Sequence, residues 1–479
     1  MPRGLRIVSM LALSLTLVAT GVPAFATGSY LWSELRQPVD TQTWGQPVAV
    51  SNGGTTVLGW IDRPTRQAHA MFSNDGGVTW GNALTMSDPG SNTHNLAVSA
   101  FGENGFAFAW GDYVVDDVVV RITNANGSSW SAPQALGAGN AFDIALTPIG
   151  IDRVGAVARS LDGGNEAVVA VSDPGGTFGR PSTRFDTGGP LSMQYADNVV
   201  SVFMLEGGYS HALRGYYSAD FGVNWLTTNQ LVANGIFNSM EVIPCGDFVV
   251  FGGQISESPE RFFALGRDFA SSTWEAVHPA SEVQLGDAHS ACLSNGDVLS
   301  VWNEEASVQT KFALSRHTDA GWVILEEGIL PINFLGGLRI LARPDGGAIL
   351  ISTWENDSQP NVYAMTWNPS VGWSDRELIG ETGGMLNSIV LTNTPFGAFL
   401  ALNPWWDSDG SRNPFVATFQ AVANETSVPA MSQTLASTGV DVDAHRAQIL
   451  WAAGLLACGA VAVTLRSRGR TSQRTRRGD

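Results

Sequence analysis

Lysine is almost absent from this chain of 479 residues: it occurs once, at Lys311, and every other basic residue apart from histidine is arginine. Only 15% of the residues are charged. Between residues 27 and 439 there are 41 acidic and 17 basic side chains, a net charge of −24. Because nucleic-acid binding needs a basic surface against the phosphates, this composition argues against a nucleic-acid partner.

Cysteine is also scarce. Of three cysteines, Cys458 lies in a C-terminal apolar segment, and no C-x-x-C motif or Cys/His cluster suggests zinc. Cys245 and Cys292 fall near the ends of corresponding predicted strands, so they either pair in an exported protein or remain buried thiols. No phosphate-binding loop or dinucleotide fingerprint occurs in a suitable context. We therefore predict no cofactor and no metal site.

Helical periodicity is missing outside the two termini, whereas alternation of apolar and polar residues is common. This period of two favours strands. The chain also has 54 glycines and 16 tryptophans, which indicates many turns between short strands. With 44% apolar residues, it has enough hydrophobic material for a folded core.

A repeat organises the body of the chain. SNDGGVTW at residues 73–80 and SADFGVNW at residues 218–225 are two full copies of a box, and weaker copies occur at a regular interval. The aromatic ends of the boxes are 47 to 51 residues apart, at Trp80, Trp130, Phe178, Trp225, Trp274, Trp322 and Trp373. Each interval holds three apolar runs, and a fourth strand follows each box. Four short antiparallel strands in a unit of this length are typical of a β-propeller blade.

The same pattern of three apolar runs also occurs before the first box and after the last one. This gives eight blades, with seven as the alternative. The last blade has no obvious fourth strand of its own. Residues 28–35, GSYLWSEL, are available to supply it and to close the ring. The predicted fold is thus an all-β propeller of four-stranded antiparallel blades, flanked by an N-terminal signal helix and a C-terminal transmembrane helix.

The pattern S-x-D-x-G-x-T-W resembles the Asp-box, or BNR repeat, of sialidase-like propellers, over about residues 45–420. The resemblance implies a structural turn between the third and fourth strands of a blade. In that turn the aspartate caps backbone N–H groups, the glycine takes a positive φ, and the tryptophan packs between sheets. The residues concerned are Ser73, Asp75, Gly77 and Trp80 in one box, and Ser218, Asp220, Gly222 and Trp225 in the other.

Sialidase activity needs more than the boxes. The resemblance implies a Tyr nucleophile with a Glu partner, an acid/base Asp, three arginines for a carboxylate, and an Arg-Ile-Pro motif. That motif is missing here, and two of the three arginines and the Tyr–Glu pair cannot be placed by motif. Within GWIDR at residues 59–63, Arg63 matches one active-site position loosely, so Arg63 and Asp62 are only weak catalytic candidates.

The second strands of several repeats end alike, with a tryptophan followed by a carboxylate. Equivalent positions form a ring in a propeller, where aromatic faces could stack on sugars and carboxylates could bind hydroxyls or Ca²⁺. Alternatively, tryptophan fills the space between blades, and aspartate holds its own turn. The ligand-binding candidates are Trp60, Asp62, Trp110, Asp112, Trp302, Glu304, Trp354 and Asp407.

The two ends of the chain indicate export and anchoring. Residues 1–26 read as a signal peptide, with a basic start, an apolar run and a small-residue cleavage site. LASTG at residues 435–439, an uncharged stretch at 449–465 and a basic tail at 466–479 together resemble the sorting signal of Gram-positive surface proteins. The resemblance implies sortase processing at Leu435, Ala436, Thr438 and Gly439; a plain membrane anchor is the alternative. The propeller would span residues 27–420, with a linker at 421–434.

The sequence therefore predicts a propeller displayed on the cell envelope. An intact fold signature beside an incomplete catalytic one favours a non-catalytic module that binds glycans or proteins. The alternative is an exo-sialidase or a related glycoside hydrolase that acts on extracellular glycans. Sortase and the cell envelope are the predicted partners.

Overall fold

The computed structural model describes residues 30–421 except for short internal gaps. The gaps are residues 161–165, 180–182, 187–190, 197, 207–210, 228–231, 236, 246–247, 256–260, 269–274, 279–284, 305–308, 333–336, 355–360, 383–385 and 405–413. The predicted signal peptide, linker, LASTG motif, membrane segment and basic tail lie outside the described residues, as does Trp274. Across the described ranges, no helix has the length and apolar character needed to cross a bilayer. The described residues belong to one compact unit.

Residues 30–421 form eight antiparallel sheets, which follow one another along the chain as the box spacing predicts. Blade 1 contains β2 (Val48–Asn52), β3 (Thr55–Ile61), β4 (Ala68–Ser73) and β5 (Leu84–Thr85), and blade 2 contains β6 (Thr93–Phe101), β7 (Gly105–Asp112), β8 (Asp117–Thr123) and β9 (Gln134–Ala135). Blade 3 contains β10 (Ala141–Ile149), β11 (Arg153–Ser160), β12 (Glu166–Val171) and β13 (Thr183–Asp186).

The next three blades repeat this order. Blade 4 contains β14 (Leu191–Ala196), β15 (Val199–Glu206), β16 (His211–Ser218) and β17 (Leu226–Thr227), with β18 (Val232–Gly235) also paired to β16. Blade 5 contains β19 (Phe237–Cys245), β20 (Phe248–Ile255), β21 (Arg261–Asp268) and β22 (Glu275–His278). Blade 6 contains β23 (Leu285–Cys292), β24 (Val298–Glu304), β25 (Gln309–Thr318) and β26 (Gly321–Leu330).

The last two blades bring the two ends of the described chain together. Blade 7 contains β27 (Leu338–Ala342), β28 (Ala348–Trp354), β29 (Asn361–Asn368) and β30 (Gly372–Trp373), with β31 (Glu377–Glu381) also paired to β29. Blade 8 contains β32 (Leu386–Thr394), β33 (Gly397–Pro404), β34 (Phe415–Ala421) and, as its fourth strand, β1 (Tyr30–Trp32). The predicted closure by the N-terminal segment is confirmed, since β1 pairs with β34 in antiparallel register.

The first strands of the blades surround the centre of the ring. Each contacts the first strand of the next blade, and β32 contacts β2, so the circle of eight is complete. The turns between second and third strands and the connections between blades share one face, here called the crossover face. The other two turns of each blade share the opposite face, here called the box face because it carries the boxes.

The hydrophobic core is divided into layers between consecutive blades, since each sheet has two apolar faces that its neighbours must cover. The box aromatics belong to these layers. Trp80 packs between blades 8 and 1, Trp130 between blades 1 and 2, and Trp225 between blades 3 and 4. Each box therefore fastens its own blade to the preceding one.

One disulfide joins two neighbouring blades. Cys245 at the end of β19 and Cys292 at the end of β23 are bonded, with their Cα atoms 5.3 Å apart. Of the two states that the sequence leaves open for this pair, the structure has the disulfide. It links the first strands of blades 5 and 6, close to the centre of the ring.

Candidate functional site

Three tryptophans of the predicted ring are core residues. Trp60, Trp110 and Trp302 are only 2%, 2% and 8% exposed. Each lies in the hydrophobic layer between its own blade and the preceding one. A ring covered in this way cannot stack on a sugar, so these side chains fill space between blades rather than form platforms. The side chain of Trp354 and the whole of Asp407 fall outside the described part of the chain.

Asp62 is committed to the turn that follows β3. Its carboxylate accepts hydrogen bonds from the Thr41 hydroxyl, from the Thr65 N–H at 3.0 Å and from the Thr65 hydroxyl at 2.6 Å. Burial acts to raise the pKa of Asp62, but these hydrogen bonds outweigh it and leave the pKa below its usual range. The neighbouring Arg63 is half-buried on the crossover face. Asp62 is therefore an ionised turn residue, as the structural alternative predicts.

Glu304 and Asp112 also meet partners within their own blades. Glu304 is 5% exposed and pairs with the chain's single lysine, Lys311, at 2.7 Å. Asp112 is 2% exposed, and its Oδ1 accepts the N–H groups of Val114 at 2.9 Å and Asn92 at 3.2 Å. Both carboxylates lie at the crossover face, at the ends of second strands.

The two full boxes form nearly identical turns on the box face. Ser73 Oγ donates to Asp75 Oδ1 at 2.7 Å and accepts the Gly77 N–H at 2.7 Å, while Asp75 Oδ1 accepts the Thr79 N–H at 2.8 Å. Ser218, Asp220, Gly222 and Asn224 repeat these contacts within 0.1 Å. Gly77 and Gly222 have φ values of 97° and 82°, which favour glycine. Each aspartate thus holds its turn.

A recurring feature that the sequence analysis missed lies at the start of the first strands. In blades 2, 3, 5, 6 and 8 the pairing of the first strand with the second is interrupted by a bulge. An asparagine or aspartate occupies each bulge: Asn95, Asp143, Asn238, Asp287 and Asn387. Bulges re-aim side chains and are common beside functional sites. Their regular spacing in the sequence was the signal that could have revealed this ring.

The bulge residue of blade 6 belongs to a charged cluster that reaches blade 7. Asp287 Oδ1 lies 3.0 Å from His289 Nε2, and Asp287 Oδ2 accepts the Leu338 N–H at 2.9 Å. Arg339 contacts both Asp287 and His289 and is 39% exposed. Burial acts to raise the pKa of Asp287, but the charge and hydrogen bond of His289, with Arg339, lower it to about 2. This cluster connects two inner strands through an ionised carboxylate.

A cleft of about 280 Å³ lies between blades 7 and 8 and is here called the rim cleft. One wall is β29 with the loop between β30 and β31, where Ser374 Oγ accepts the Thr366 N–H at 3.0 Å. The other wall is Phe419 of β34, with the Arg343 guanidinium 5.5 Å from its ring centroid. Two repeats and a strand edge build this cleft, so no local sequence motif marks it.

The rim cleft offers both hydrogen-bond donors and acceptors. Its polar lining consists of the Arg343 guanidinium, the Thr366 and Ser374 hydroxyls, and the Asp375 and Glu377 carboxylates. Within the described residues, the Thr366 hydroxyl and the two carboxylates make no hydrogen bond. These groups are therefore available to a ligand, whereas Met365 and Phe419, which also line the cleft, are only 1% and 2% exposed. No set of three or more His, Cys, Asp or Glu side chains is arranged to hold a metal ion in the ranges that the structure covers.

No protein-family model matches the chain, and no curated protein is similar to it. Solved structures share the fold at low identity. A prolyl endopeptidase is 14% identical with a TM-score of 0.46, and the match covers 80% of this chain but only 55% of that chain, less than two thirds of its length. An ulvan lyase is 8% identical with a TM-score of 0.44, covering 79% of this chain and 94% of that one.

A third similar structure is the Aleuria aurantia lectin, described as a six-bladed β-propeller with a fucose recognition mode. It is 10% identical with a TM-score of 0.38, and the match covers 71% of this chain and 97% of the lectin. Likeness at these identities concerns the fold alone. The all-β propeller assignment itself rests on the eight sheets and their closed order.

Proposed function

We propose that this protein is a propeller displayed on the cell surface that binds extracellular glycans without catalysing a reaction on them. The observation that carries this proposal is the rim cleft, with its unpaired hydroxyl and carboxylates beside an arginine. Ligand sites are typically concave, with apolar walls and a few well-placed polar groups. The rim cleft has this composition, and its volume suits one small saccharide unit.

The charges of the rim cleft favour a neutral, hydroxyl-rich ligand. Asp375 and Glu377 can accept hydrogen bonds from sugar hydroxyls, and the Arg343 guanidinium can donate to them. Arg343 is also paired with Asp345, so its charge is partly balanced within the protein. A strongly anionic sugar would meet two carboxylates, which disfavours it.

The display on the envelope rests on the two ends of the chain. Residues 1–26 carry the features of an export signal, and residues 435–479 combine the LASTG motif, an apolar span and a basic tail. We propose that sortase joins Thr438 to the envelope. Cell fractionation tests this: after lysozyme treatment the protein is expected in the released wall fraction without residues 466–479. Recovery in the membrane with the tail attached would support a plain membrane anchor instead.

A glycan array with purified protein tests the binding function. Wild-type protein is expected to bind a defined set of neutral glycans. Glu377→Gln is expected to reduce this binding tenfold or more, because a charged hydrogen-bond acceptor is replaced by a weaker neutral one. Glu326→Gln, an exposed change on β26, is the control. If no glycan binds, or if both variants bind like wild type, the rim cleft is not a glycan site.

The second candidate function is glycoside hydrolysis near the centre of the ring. The specific observation in its favour is the cluster of Asp287, His289 and Arg339, which places titratable groups on the inner strands of blades 6 and 7. A fluorogenic sialoside assay on the purified protein tests it. Turnover that disappears in Arg63→Ala or Asp287→Asn would overturn the non-catalytic proposal.

A further inference from the structure

A second cavity, of about 170 Å³, lies at the crossover face of blade 2 and is here called the blade-2 pocket. Its apolar lining comes from Val115, Val119, Pro133 and Ala135, with Trp110 contributing a small exposed part. Its polar lining comes from Asp88 and Asp112, together with Ser91. The pocket therefore combines a hydrophobic wall with two carboxylates.

One of these carboxylates is buried and only half used. Asp112 is 2% exposed, and both of its hydrogen bonds, from Asn92 and Val114, end on Oδ1. Throughout the residues that the structure covers, Asp112 Oδ2 accepts no hydrogen bond, although Asp112 lines the pocket. A carboxylate oxygen that has no partner in the protein, on a residue that lines a cavity, can accept a hydrogen bond from a ligand donor.

The neighbouring His94 does not balance the charge of Asp112. His94 interacts electrostatically with Asp112, but burial lowers the pKa of His94 more than Asp112 and the Ala141 carbonyl raise it. His94 is therefore uncharged at neutral pH. Asp88 is exposed, and its carboxylate has no partner within the described residues.

The pocket is held in shape by its own loop. The Tyr113 ring stacks on His94 with centroids 4.1 Å apart, and the Tyr113 N–H donates to the Asn92 carbonyl at 3.1 Å. The Asp116 N–H donates to the Asp112 carbonyl at 2.8 Å, which closes the turn. Val114 and Val115 project at its tip, 67% and 56% exposed, next to the mouth of the pocket. A preformed pocket with an apolar rim suits a partner that brings its own apolar surface.

We propose that the blade-2 pocket binds a basic side chain, lysine or arginine, presented by a partner polypeptide. The alkyl part of the side chain lies against Val115 and Val119, and the cationic head meets Asp112 Oδ2 and Asp88. The net charge of −24 between residues 27 and 439 attracts basic partners to the protein over longer distances. This inference is independent of glycan binding in the rim cleft.

Titration calorimetry with two short blocked peptides tests the proposal on the purified protein. One peptide carries a central lysine, and the matched peptide carries norleucine, which has the same alkyl chain without the ammonium. The lysine peptide is expected to bind, and the norleucine peptide at least tenfold more weakly. Asp112→Asn keeps the acceptor for Asn92 and Val114 but removes the charge, and it is expected to weaken lysine binding tenfold or more.

Two further variants separate this result from instability and from general electrostatics. Asp88→Asn changes an exposed side chain and is expected to weaken the lysine peptide about threefold with no change in thermal stability. Glu103→Gln removes one acidic charge on the box face and is expected to have no effect. Glu377→Gln, the rim-cleft variant, is likewise expected to leave lysine binding unchanged, so failure of one site is distinguishable from failure of the other.

The proposal is overturned if the lysine peptide does not bind, or if the norleucine peptide binds equally well. It is also overturned if Asp112→Asn and Asp88→Asn both bind within twofold of wild type. Equal weakening by Glu103→Gln and Asp88→Asn would assign the attraction to net charge alone.

Discussion

The Trp32 ring on β1 lies 5.1 Å from the Phe419 ring on β34, centroid to centroid, at an interplanar angle of 41°. This contact joins the first strand of the described chain to the last one, β34, and both belong to blade 8. Because β1 belongs to blade 8, the ring is closed by hydrogen bonds between distant parts of the chain rather than by packing alone.

Truncation of the closing aromatic is expected to loosen the ring. Trp32→Ala removes a half-buried side chain from the layer between blades 7 and 8 and should lower the free energy of unfolding by about 2–3 kcal/mol. Leu31→Ala is the matched control, because Leu31 is 55% exposed and should change stability by less than about 0.5 kcal/mol. Urea denaturation of both variants checks this. Equal effects of the two changes would show that the aromatic contact does not close the ring.

The disulfide between blades 5 and 6 is expected to stabilise the propeller. It closes a loop with a sequence separation of 47, for which chain entropy predicts a contribution of about 4 kcal/mol at most. Cys245→Ser with Cys292→Ser should therefore lower the melting temperature. A reductant should lower that of wild type and leave the double variant unchanged. The prediction is contradicted if the reductant leaves the wild-type melting temperature unchanged although both thiols are shown to be free.

The architecture was largely predictable because its signals are local and periodic. The boxes ending at Trp80 and Trp225 set the blade length, and an unpaired last blade pointed to residues 28–35 as the closing strand. Each of these inferences needs only strand period and spacing. The eight sheets and the pairing of β1 with β34 agree with them.

The candidate sites were much harder to predict. Trp60 and Trp110 recur at equivalent positions, but recurrence is equally expected of residues that pack between blades, and burial decided the matter. The rim cleft joins Arg343, Glu377 and Phe419 from separate strands, so it exists only once the ring is assembled. Only the bulge residues, such as Asp143 and Asp287, recur at a regular spacing in the sequence, and the sequence analysis did not use that spacing.

The stability of the protein is expected to fall in acid partly because of Asp287. Its pKa is about 2 in the folded protein, below the ordinary 3.8, so the ionised form favours folding. This contribution, about 2 kcal/mol, is complete above about pH 4 and is lost as the pH falls towards 2. Asp287→Asn should therefore be less stable than wild type at neutral pH.

Denaturation between pH 7 and pH 2.5 checks the role of Asp287. The difference between wild type and Asp287→Asn should shrink steadily below about pH 4, since wild type loses the charge that the variant never had. Asp319→Asn, at an exposed turn, serves as the control and should follow wild type throughout. A difference that does not vary with pH would mean that Asp287 acts through shape and not through charge.

The box turn is expected to tolerate no side chain at Gly77, for two reasons that a matched pair of variants can separate. Gly77 has a φ of 97°, and a Cβ there would lie 2.5 Å from Phe399 Cδ2 in the layer between blades 8 and 1. Gly90 has a similar φ of 87°, but no atom lies within 4 Å of a Cβ at that position. Gly90→Ala should therefore lower the free energy of unfolding only by the backbone strain, about 1–2 kcal/mol.

Gly77→Ala should lower the free energy of unfolding by about 1–3 kcal/mol more, because Phe399 is fully buried and must move. Chemical denaturation of the two variants measures the difference, and equal losses would mean that the turn acts through backbone conformation alone.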